Sequence, residues 1–279
     1  MTRQEQRELA ERFQALHHGP RALVLCNAWD AASARMVEAA GFPAVATTSA
    51  GLANSVGYPD GQQIPLEDLL WMVERITRVV RVPVSADFES GFARQPEAAA
   101  ANCVRLLETG AVGINLEDGV PDPSAPLIEV ALQAEKIQAI RERCDAAGVH
   151  LVINARTDVY LDAVGAPESR FDHTVARLNA YRKAGADSLF APGVTDLETI
   201  ARLAKAVNGP LNILVLANSP SIGELEHAGV GRVSLGSSPM RATMGLMQRM
   251  LDELKEHGTY SNMATHVIPY MNANKLFVR

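Results

Sequence analysis

Residues 108–118, ETGAVGINLED, and residues 146–157, AAGVHLVINART, deliver one message twice. Each is a helical segment stopped by glycine, followed within a few positions by a short apolar run that ends in polar side chains. Glycine after the last helical turn accepts the left-handed backbone that ends a helix, and a buried strand next is the grammar of an αβ connection. The same punctuation recurs at Gly41, at Lys183-Ala184-Gly185-Ala186 and at His227-Ala228-Gly229-Val230. Working outward, eight apolar runs read as buried parallel strands: Ala22–Asn27, Ala44–Thr48, Val84–Phe88, Gly113–Asp118, Leu151–Thr157, Ser188–Pro192, Leu211–Asn218 and Arg232–Ser238. Between and after them lie helical patterns at Ala31–Ala40, Leu66–Val80, Pro96–Thr109, Ile128–Ala147, Glu168–Ala184, Asp196–Val207, Ile222–Ala228 and Pro239–His257. Asp30 is placed to cap the first of these, and Ser238-Pro239 reads as a cap followed by proline at the first helical position.

A spacing of about 35 residues per strand suits one βα unit each. No Ser/Gly-rich or Pro-rich linker divides the chain, and no GxGxxG turn follows the first strand, where Asn27-Ala28-Trp29-Asp30 stands instead. The expectation is an α/β fold, a (β/α)8 TIM-type barrel in one domain over residues 1–279. The barrel would occupy about residues 20–258, with an N-terminal helix at Arg3–Leu16 before it and an apolar extension of about residues 259–279 after it. The run Met240, Met244, Met247, Met250 has helical spacing, expected to pack on the barrel or on another subunit.

Composition narrows the functional classes. The chain of 279 residues carries 26 Lys and Arg against 32 Asp and Glu, a net charge of −6, which argues against nucleic acid as a partner. The charged N-terminus lacks the apolar segment of a signal peptide, and no run is long enough to span a bilayer, so no membrane role is expected. Cys26, Cys103 and Cys144 form no CxxC pair and cannot build a disulfide framework, which fits a cytoplasmic location.

In a barrel, chemistry gathers at the C-terminal ends of the strands. Alternation along a strand puts Asp87 with Glu89, Asn115 with Glu117, and Asn154 with Arg156 on shared faces, so three neighbouring strands aim six polar groups at one spot. Converging carboxylates repel unless a cation lies among them, and oxygen donors without a His or Cys cluster suit Mg²⁺ or Mn²⁺. Arg156 opposite such an ion offers a fixed cationic fork to a carboxylate or an oxyanion. That equipment fits a small 2-oxo acid. None of the seven histidines falls at a catalytic strand end, so histidine acid–base chemistry is not expected.

Taken together, Thr48-Ser49-Ala50-Gly51-Leu52, Gly57-Tyr58-Pro59-Asp60, Asp87-Phe88-Glu89-Ser90-Gly91-Phe92, Leu116-Glu117-Asp118 and Ala155-Arg156-Thr157-Asp158 resemble the isocitrate lyase/phosphoenolpyruvate mutase superfamily, from about Leu23 to Met250. The resemblance implies a Mg²⁺-dependent lyase-type enzyme, with Mn²⁺ as an alternative ion, that cleaves or forms a C–C or P–C bond beside a 2-oxo acid through an enolate. It implies Asp87 as direct metal ligand, with Glu89 and Glu117 acting largely through metal-bound waters, and Asp60 as a further acid near the metal. Arg156 matches the substrate-contacting arginine, and Ser49, Ala50 and Gly51 match the loop that holds the substrate carboxylate. Asn218 matches a pocket residue, and Asn115 and Asn154 complete the binding set. It further implies a homo-oligomer, a dimer exchanging its C-terminal helices or a tetramer of such dimers.

Two departures bear on the reaction. Glu89 stands where many relatives have aspartate. The K-[KR]-C-G-H motif of isocitrate and methylisocitrate lyases is missing from Gly119-Val120-Pro121-Asp122-Pro123-Ser124-Ala125-Pro126, and with it the cysteine that supplies a proton. The lysine and asparagine of phosphonomutase-type gating loops are missing from this segment too. Isocitrate or methylisocitrate cleavage is therefore not expected and the reaction type stays open, with a phosphonopyruvate or phosphoenolpyruvate mutase or hydrolase as the alternative enzyme and a 2-oxo-acid-binding protein with little turnover as the alternative outside catalysis.

Overall fold

The strand and helix order follows the alternation in the sequence. The computed structural model describes residues 1–120 and 126–278, so most of the proline-rich segment after the fourth predicted strand lies outside the described residues. The strands are β1 (Leu23–Leu25), β2 (Asn27–Ala28), β3 (Val45–Thr47), β4 (Val84–Asp87), β5 (Gly113–Glu117), β6 (Val152–Arg156), β7 (Ser188–Phe190), β8 (Leu211–Leu214) and β9 (Arg232–Ser234). They form one parallel sheet in the order β1-β9-β8-β7-β6-β5-β4-β3-β2. β1 and β2 are one extended run interrupted at Cys26. β1 pairs with β9 and β2 with β3, so that run joins both ends of the sheet and closes it into an eight-staved (β/α)8 barrel.

The outer layer consists of α2 (Ala31–Ala39), α4 (Leu66–Val79), α5 (Pro96–Glu108), α6 (Val130–Ala146), α7 (Arg170–Lys183), α8 (Leu197–Ala206), α9 (Ile222–His227) and α10 (Ser238–His257). The helix stops read from sequence hold: Gly41, Gly110, Gly148, Gly185 and Gly229 all adopt positive φ, between 84° and 114°, a backbone open to glycine at no steric cost. Asp30 caps α2, accepting the Ser33 amide at 2.6 Å while Ser33 returns a bond to the Asp30 backbone. α10 starts one residue earlier than expected. Ser237 holds the cap position in a helical conformation and makes no side-chain cap bond, so Ser238 is the first helical residue rather than the cap.

The stretch Ser49-Ala50-Gly51, expected as a loop, opens a short helix, α3 (Ser49–Ser55), set in motion by the Leu52 amide donating to the Thr48 carbonyl. The expected strands overrun the observed ones at their C-terminal ends. After β8 the chain turns at Leu216–Ser219, where the Leu216 amide donates to the Ser219 hydroxyl, so Asn218 sits in an exposed turn.

The N-terminal helix α1 (Arg3–Leu16) seals the bottom of the barrel with Gln6, Ala10 and Phe13. Phe13 packs so closely on β5 that a Cβ on Gly113 would lie 2.6 Å from its ring. Above this plug the barrel interior is polar: Asn115, Asn154, Ser188, Asn212, Ser234 and Arg232 are buried there and bonded to one another, where aliphatic layers are usual. The aliphatic residues of the strands pack outward on the helices instead.

Two further helices, α11 (Ser261–His266) and α12 (Tyr270–Lys275), follow α10. Of the methionine run on α10 only Met240 is buried; Met244 and Met247 are each 55% exposed, and Leu251, Leu254, Tyr270, Met271 and Phe277 are exposed with them. Packing on the barrel therefore does not account for that run. Among the described residues no helix is long and apolar enough to cross a membrane.

Candidate active site

β4, β5 and β6 lie side by side, in register at Asp87, Asn115 and Asn154 and again at Glu117 and Arg156. Parallel register puts paired residues on one face, and side-chain bonds confirm it. Asn115 Nδ2 reaches Asp87 Oδ1 at 3.4 Å, and Asn154 Nδ2 donates to Asn115 Oδ1 at 2.7 Å. Above this layer Arg156 Nη1 stands 2.6 Å from Glu117 Oε2, while Nε and Nη2 hold Asp158 at 2.6 and 2.9 Å. A guanidinium has five N–H donors. Two are bonded to Asp158 and Nη1 is in ion-pair contact with Glu117, which leaves donor capacity on both terminal nitrogens for a ligand.

Glu89 arrives by a different route from the one expected. The strand ends at Asp87, and Glu89 takes a left-handed backbone with φ 46°, so strand alternation does not place it. A turn does: the Gly91 amide bonds the Phe88 carbonyl, the Glu117 amide bonds the Glu89 carbonyl, and Gln62 Oε1 accepts from Ser90 and Phe92. The Glu89 side chain is nonetheless buried, and its Oε1 has no hydrogen-bond partner.

Electrostatics tie the group together. Burial, and then the charges of Asp87 and Asp60, push the Glu89 carboxyl up to about 8. Glu117 is also raised, by burial against the pull of Arg156, and Asp158 likewise. For Arg156, burial works to lower the pKa, but Glu117, Asp158 and Asp87 outweigh it and hold the guanidinium charged. Acids forced upward by burial and by one another at one end of a barrel mark a candidate functional site.

The other expected residues are distributed unevenly. Ser49 is at the site, but its amide donates to Asp87 Oδ2 at 2.9 Å. Ala50 and Gly51 follow in the first turn of α3. Gly51 has a packing reason as well, since a Cβ there would lie 2.6 Å from Thr48 Cγ2 and 2.7 Å from Trp29 Cβ. Asp60 is exposed, in electrostatic reach of Glu89, and Asn218 is exposed after β8. Phe88 is a core residue packed on Phe92.

Three supporting groups have no role assigned by the sequence alone. Asp118 is fully buried and accepts Arg177 Nη1 at 2.9 Å, the Tyr181 hydroxyl at 2.7 Å and the Asp158 amide at 3.0 Å. Thr47 Oγ1 accepts the Asp87 amide at 2.9 Å. Asn27 Oδ1 accepts the amides of Leu235 and Gly236, tying β2 to the turn after β9. Asp158 shares the strand parity of Arg156, and that spacing was the available clue.

This geometry agrees with what the chain is similar to. Residues 13–255 match the family model described as phosphoenolpyruvate phosphomutase. The chain belongs to the phosphoenolpyruvate phosphomutase family. It is 36% identical over 230 residues to an uncharacterised protein of Mycobacterium tuberculosis, covering 82% of this chain and 83% of that one. It is 32% identical over 253 residues to a 2-methylisocitrate lyase of Aeropyrum pernix, covering 86% and 78%. A crystal structure from Burkholderia cenocepacia J2315 superimposes with a TM-score of 0.91 at 37% identity, covering 98% of this chain and 97% of the other. This phosphomutase-family member is thus an enzyme of the isocitrate lyase/phosphoenolpyruvate mutase superfamily of lyases and mutases.

The donor chemistry can be tested against a divalent cation. Asp87, Glu89 and Glu117 offer only oxygen, and the partnerless Glu89 Oε1 is a buried acceptor with room in its bonding, so the residues fit a hard ion. Among the described residues no three His, Cys, Asp or Glu side chains enclose an ion by themselves.

Proposed function

We propose that the protein is a Mg²⁺-dependent lyase-type enzyme that acts on a small 2-oxo acid or its adduct, cleaving or forming a C–C or P–C bond through an enolate. The observation that carries this reading is the buried, partnerless Glu89 carboxylate oxygen in electrostatic reach of Asp87 and of Arg156, whose guanidinium keeps donors free. Asp87 would hold the cation directly, and Glu89 and Glu117 would orient its waters. The ion, when bound, supplies Lewis-acid polarisation of the 2-oxo group. The remaining work belongs to the chain. The N–H groups of Arg156 left free by Asp158, on a guanidinium held in place by Glu117 and Asp158, meet negative charge as it develops on the substrate oxygen, a preorganised donor set that needs no rearrangement. The Ala50 and Gly51 amides, beside the Asp87-bound Ser49 amide, take the substrate carboxylate. Asn115 and Asn154 line the floor and fix the Asp87 carboxylate in rotation. Asp60, at the rim, adds negative charge near Glu89.

The phosphomutase match supports a second reading, a phosphonopyruvate or phosphoenolpyruvate mutase or hydrolase using the same residues. The exposed apolar faces of α10 to α12 support a homo-oligomer, dimer or tetramer, which light scattering on purified protein tests.

Titrating oxalate, pyruvate and oxaloacetate with and without Mg²⁺ tests the shared site, with Asp87→Ala expected to abolish metal-dependent binding and leave the circular dichroism unchanged. Oxalate binding as tight in that variant as in wild type would sink the metal assignment. Pyruvate release from 2-hydroxy di- and tricarboxylates, against turnover of phosphonopyruvate followed by phosphorus NMR, separates lyase from mutase. Ligand binding with neither activity would leave a binding protein.

A further inference from the structure

Arg232 opens β9 with its side chain in the barrel lumen, and it is completely buried. Its neighbours are neutral. Nη2 donates to Asn115 Oδ1 at 3.1 Å, Nη1 lies 3.4 Å from His17 Nε2, the guanidinium carbon sits 5.9 Å from the Phe13 ring centroid, and Nε has no partner. Burial, together with Arg232 itself, drives the His17 imidazole down to about 3, so it contributes no charge. Among the described residues Arg232 makes no ion pair with a carboxylate, unlike Arg141, Arg156 and Arg177. A buried, unpaired guanidinium is costly, because the protein interior replaces little of its lost hydration. The charge it feels most is Asp87, to which it is connected through one side chain: Asn115 takes the Arg232 bond on Oδ1 and gives Nδ2 to Asp87.

A charge count at the mouth shows what that cation does. Leaving aside Asp60, which is exposed to solvent at the rim, Asp87, Glu89, Glu117 and Asp158 carry four negative charges when a bound cation keeps them ionised. Arg156 returns one and a divalent ion two. The mouth then remains one charge negative, the wrong sign to receive an anionic 2-oxo acid. Arg232, directly beneath, brings the set to neutrality.

Resting on the cation and oxo-acid reading above, we infer that Arg232 is a positioning residue of this site. Through Asn115 it holds Asp87 in place, and from below it shifts the balance of the mouth away from the bare cation and toward an anionic ligand on the loaded site. Field and geometry make separable predictions. A lost positive charge raises cation affinity and lowers anion affinity, whereas a merely structural residue moves both together or neither.

The test measures Mn²⁺ binding by electron paramagnetic resonance and then oxalate binding to the Mn²⁺-loaded protein by calorimetry. Arg232→Gln and Arg232→Met should bind Mn²⁺ about tenfold more tightly and oxalate about tenfold more weakly, the size expected of one charge acting across several ångströms of protein. Arg232→Lys, which returns the charge, restores both affinities to within about threefold of wild type. His17→Glu leaves the guanidinium in place and neutralises it from α1, so it shifts both affinities in the Gln directions and carries the test should the lumen variants not fold. Affinities that fall together, or that stay level in the folded variants, overturn the inference. Wild-type protein that binds neither Mn²⁺ nor oxalate overturns instead the functional reading beneath it.

Discussion

Lys136 on α6 is fully buried, and its ammonium donates to the Ser90 carbonyl at 2.9 Å, bracing the turn that carries Glu89. Burial lowers its pKa to about 8, with Cys103 pulling upward and Arg94 downward. The nearby thiols stay protonated through the same range, Cys103 raised well above its ordinary value and Cys144 to about 12, both chiefly by burial. Below pH 8 the amine is charged in both folded and unfolded chains, and this group gives stability no pH dependence. Between pH 8 and 10.5 the unfolded chain still binds the proton while the folded chain has released it. The unfolded state then holds more protons, and stability rises with pH. A gap of 10.5 − 8 pH units at about 1.36 kcal/mol each gives roughly 3 kcal/mol. Lys136→Met has no such proton. Urea unfolding of both proteins, followed by circular dichroism from pH 7 to 10.5, should therefore show wild type gaining about 3 kcal/mol on the variant across that interval. Every other titrating group cancels in the difference. A difference flat to within about 0.5 kcal/mol would refute the reasoning, because it would mean that the amine stays charged and hydrated inside the fold.

Other outcomes follow from the same contacts. Asp118→Asn leaves the Arg177 guanidinium buried without its counter-ion and should cost about 3–5 kcal/mol in thermal or urea unfolding; a loss below about 1 kcal/mol would show that the pair is dispensable. Gly113→Ala forces a methyl into the Phe13 ring at the barrel floor and should cost about 1–3 kcal/mol, with Phe13→Leu relieving part of it. Asp187 is held below the usual carboxylate range: burial would raise it, but His150, Arg141 and the Ile153 amide outweigh that. Its contribution is thus present above the unfolded value and disappears as pH falls through the folded one. The stability gap between wild type and Asp187→Asn should be large at pH 7 and should close in acid below about pH 4; a gap that persists there contradicts the assignment.

Legibility in the sequence followed the range of the forces involved. The barrel was readable because each helix stop and strand start is set by residues within a few positions, as Ala147-Gly148-Val149 illustrates. The helix α3 was missed, since Ser-Ala-Gly-Leu carries no amphipathic period and its start depends on Thr48 being held extended by the strand before it. At the site, Asp87, Asn115, Glu117, Asn154 and Arg156 were legible because strand parity alone orients them. Glu89 is not oriented by strand parity, its placement coming from a left-handed turn braced by Gln62. Asp60 and Asn218 lie in exposed turns, where no period constrains direction. Arg177, 59 positions from Asp118, and Arg232, 117 positions from Asn115, depend on chain segments that meet only once the barrel has closed.

The two faces of the sheet answer different demands. The outward faces bury aliphatic side chains against the helices and supply non-directional stabilisation that tolerates small shifts. The lumen, from Phe13 upward, is instead a column of amides, hydroxyls and one guanidinium whose bonds are directional and lose strength when any member moves. Asp87, Asn115, Asn154 and Ser188 form a continuous chain of such bonds, joined at Asn115 by Arg232. A carboxylate at its top therefore cannot turn without breaking bonds beneath it. The mouth of the barrel thus inherits its rigidity from the lumen rather than from the loops around it, which is the condition for holding Asp87 within a fraction of an ångström while the acids beside it repel one another.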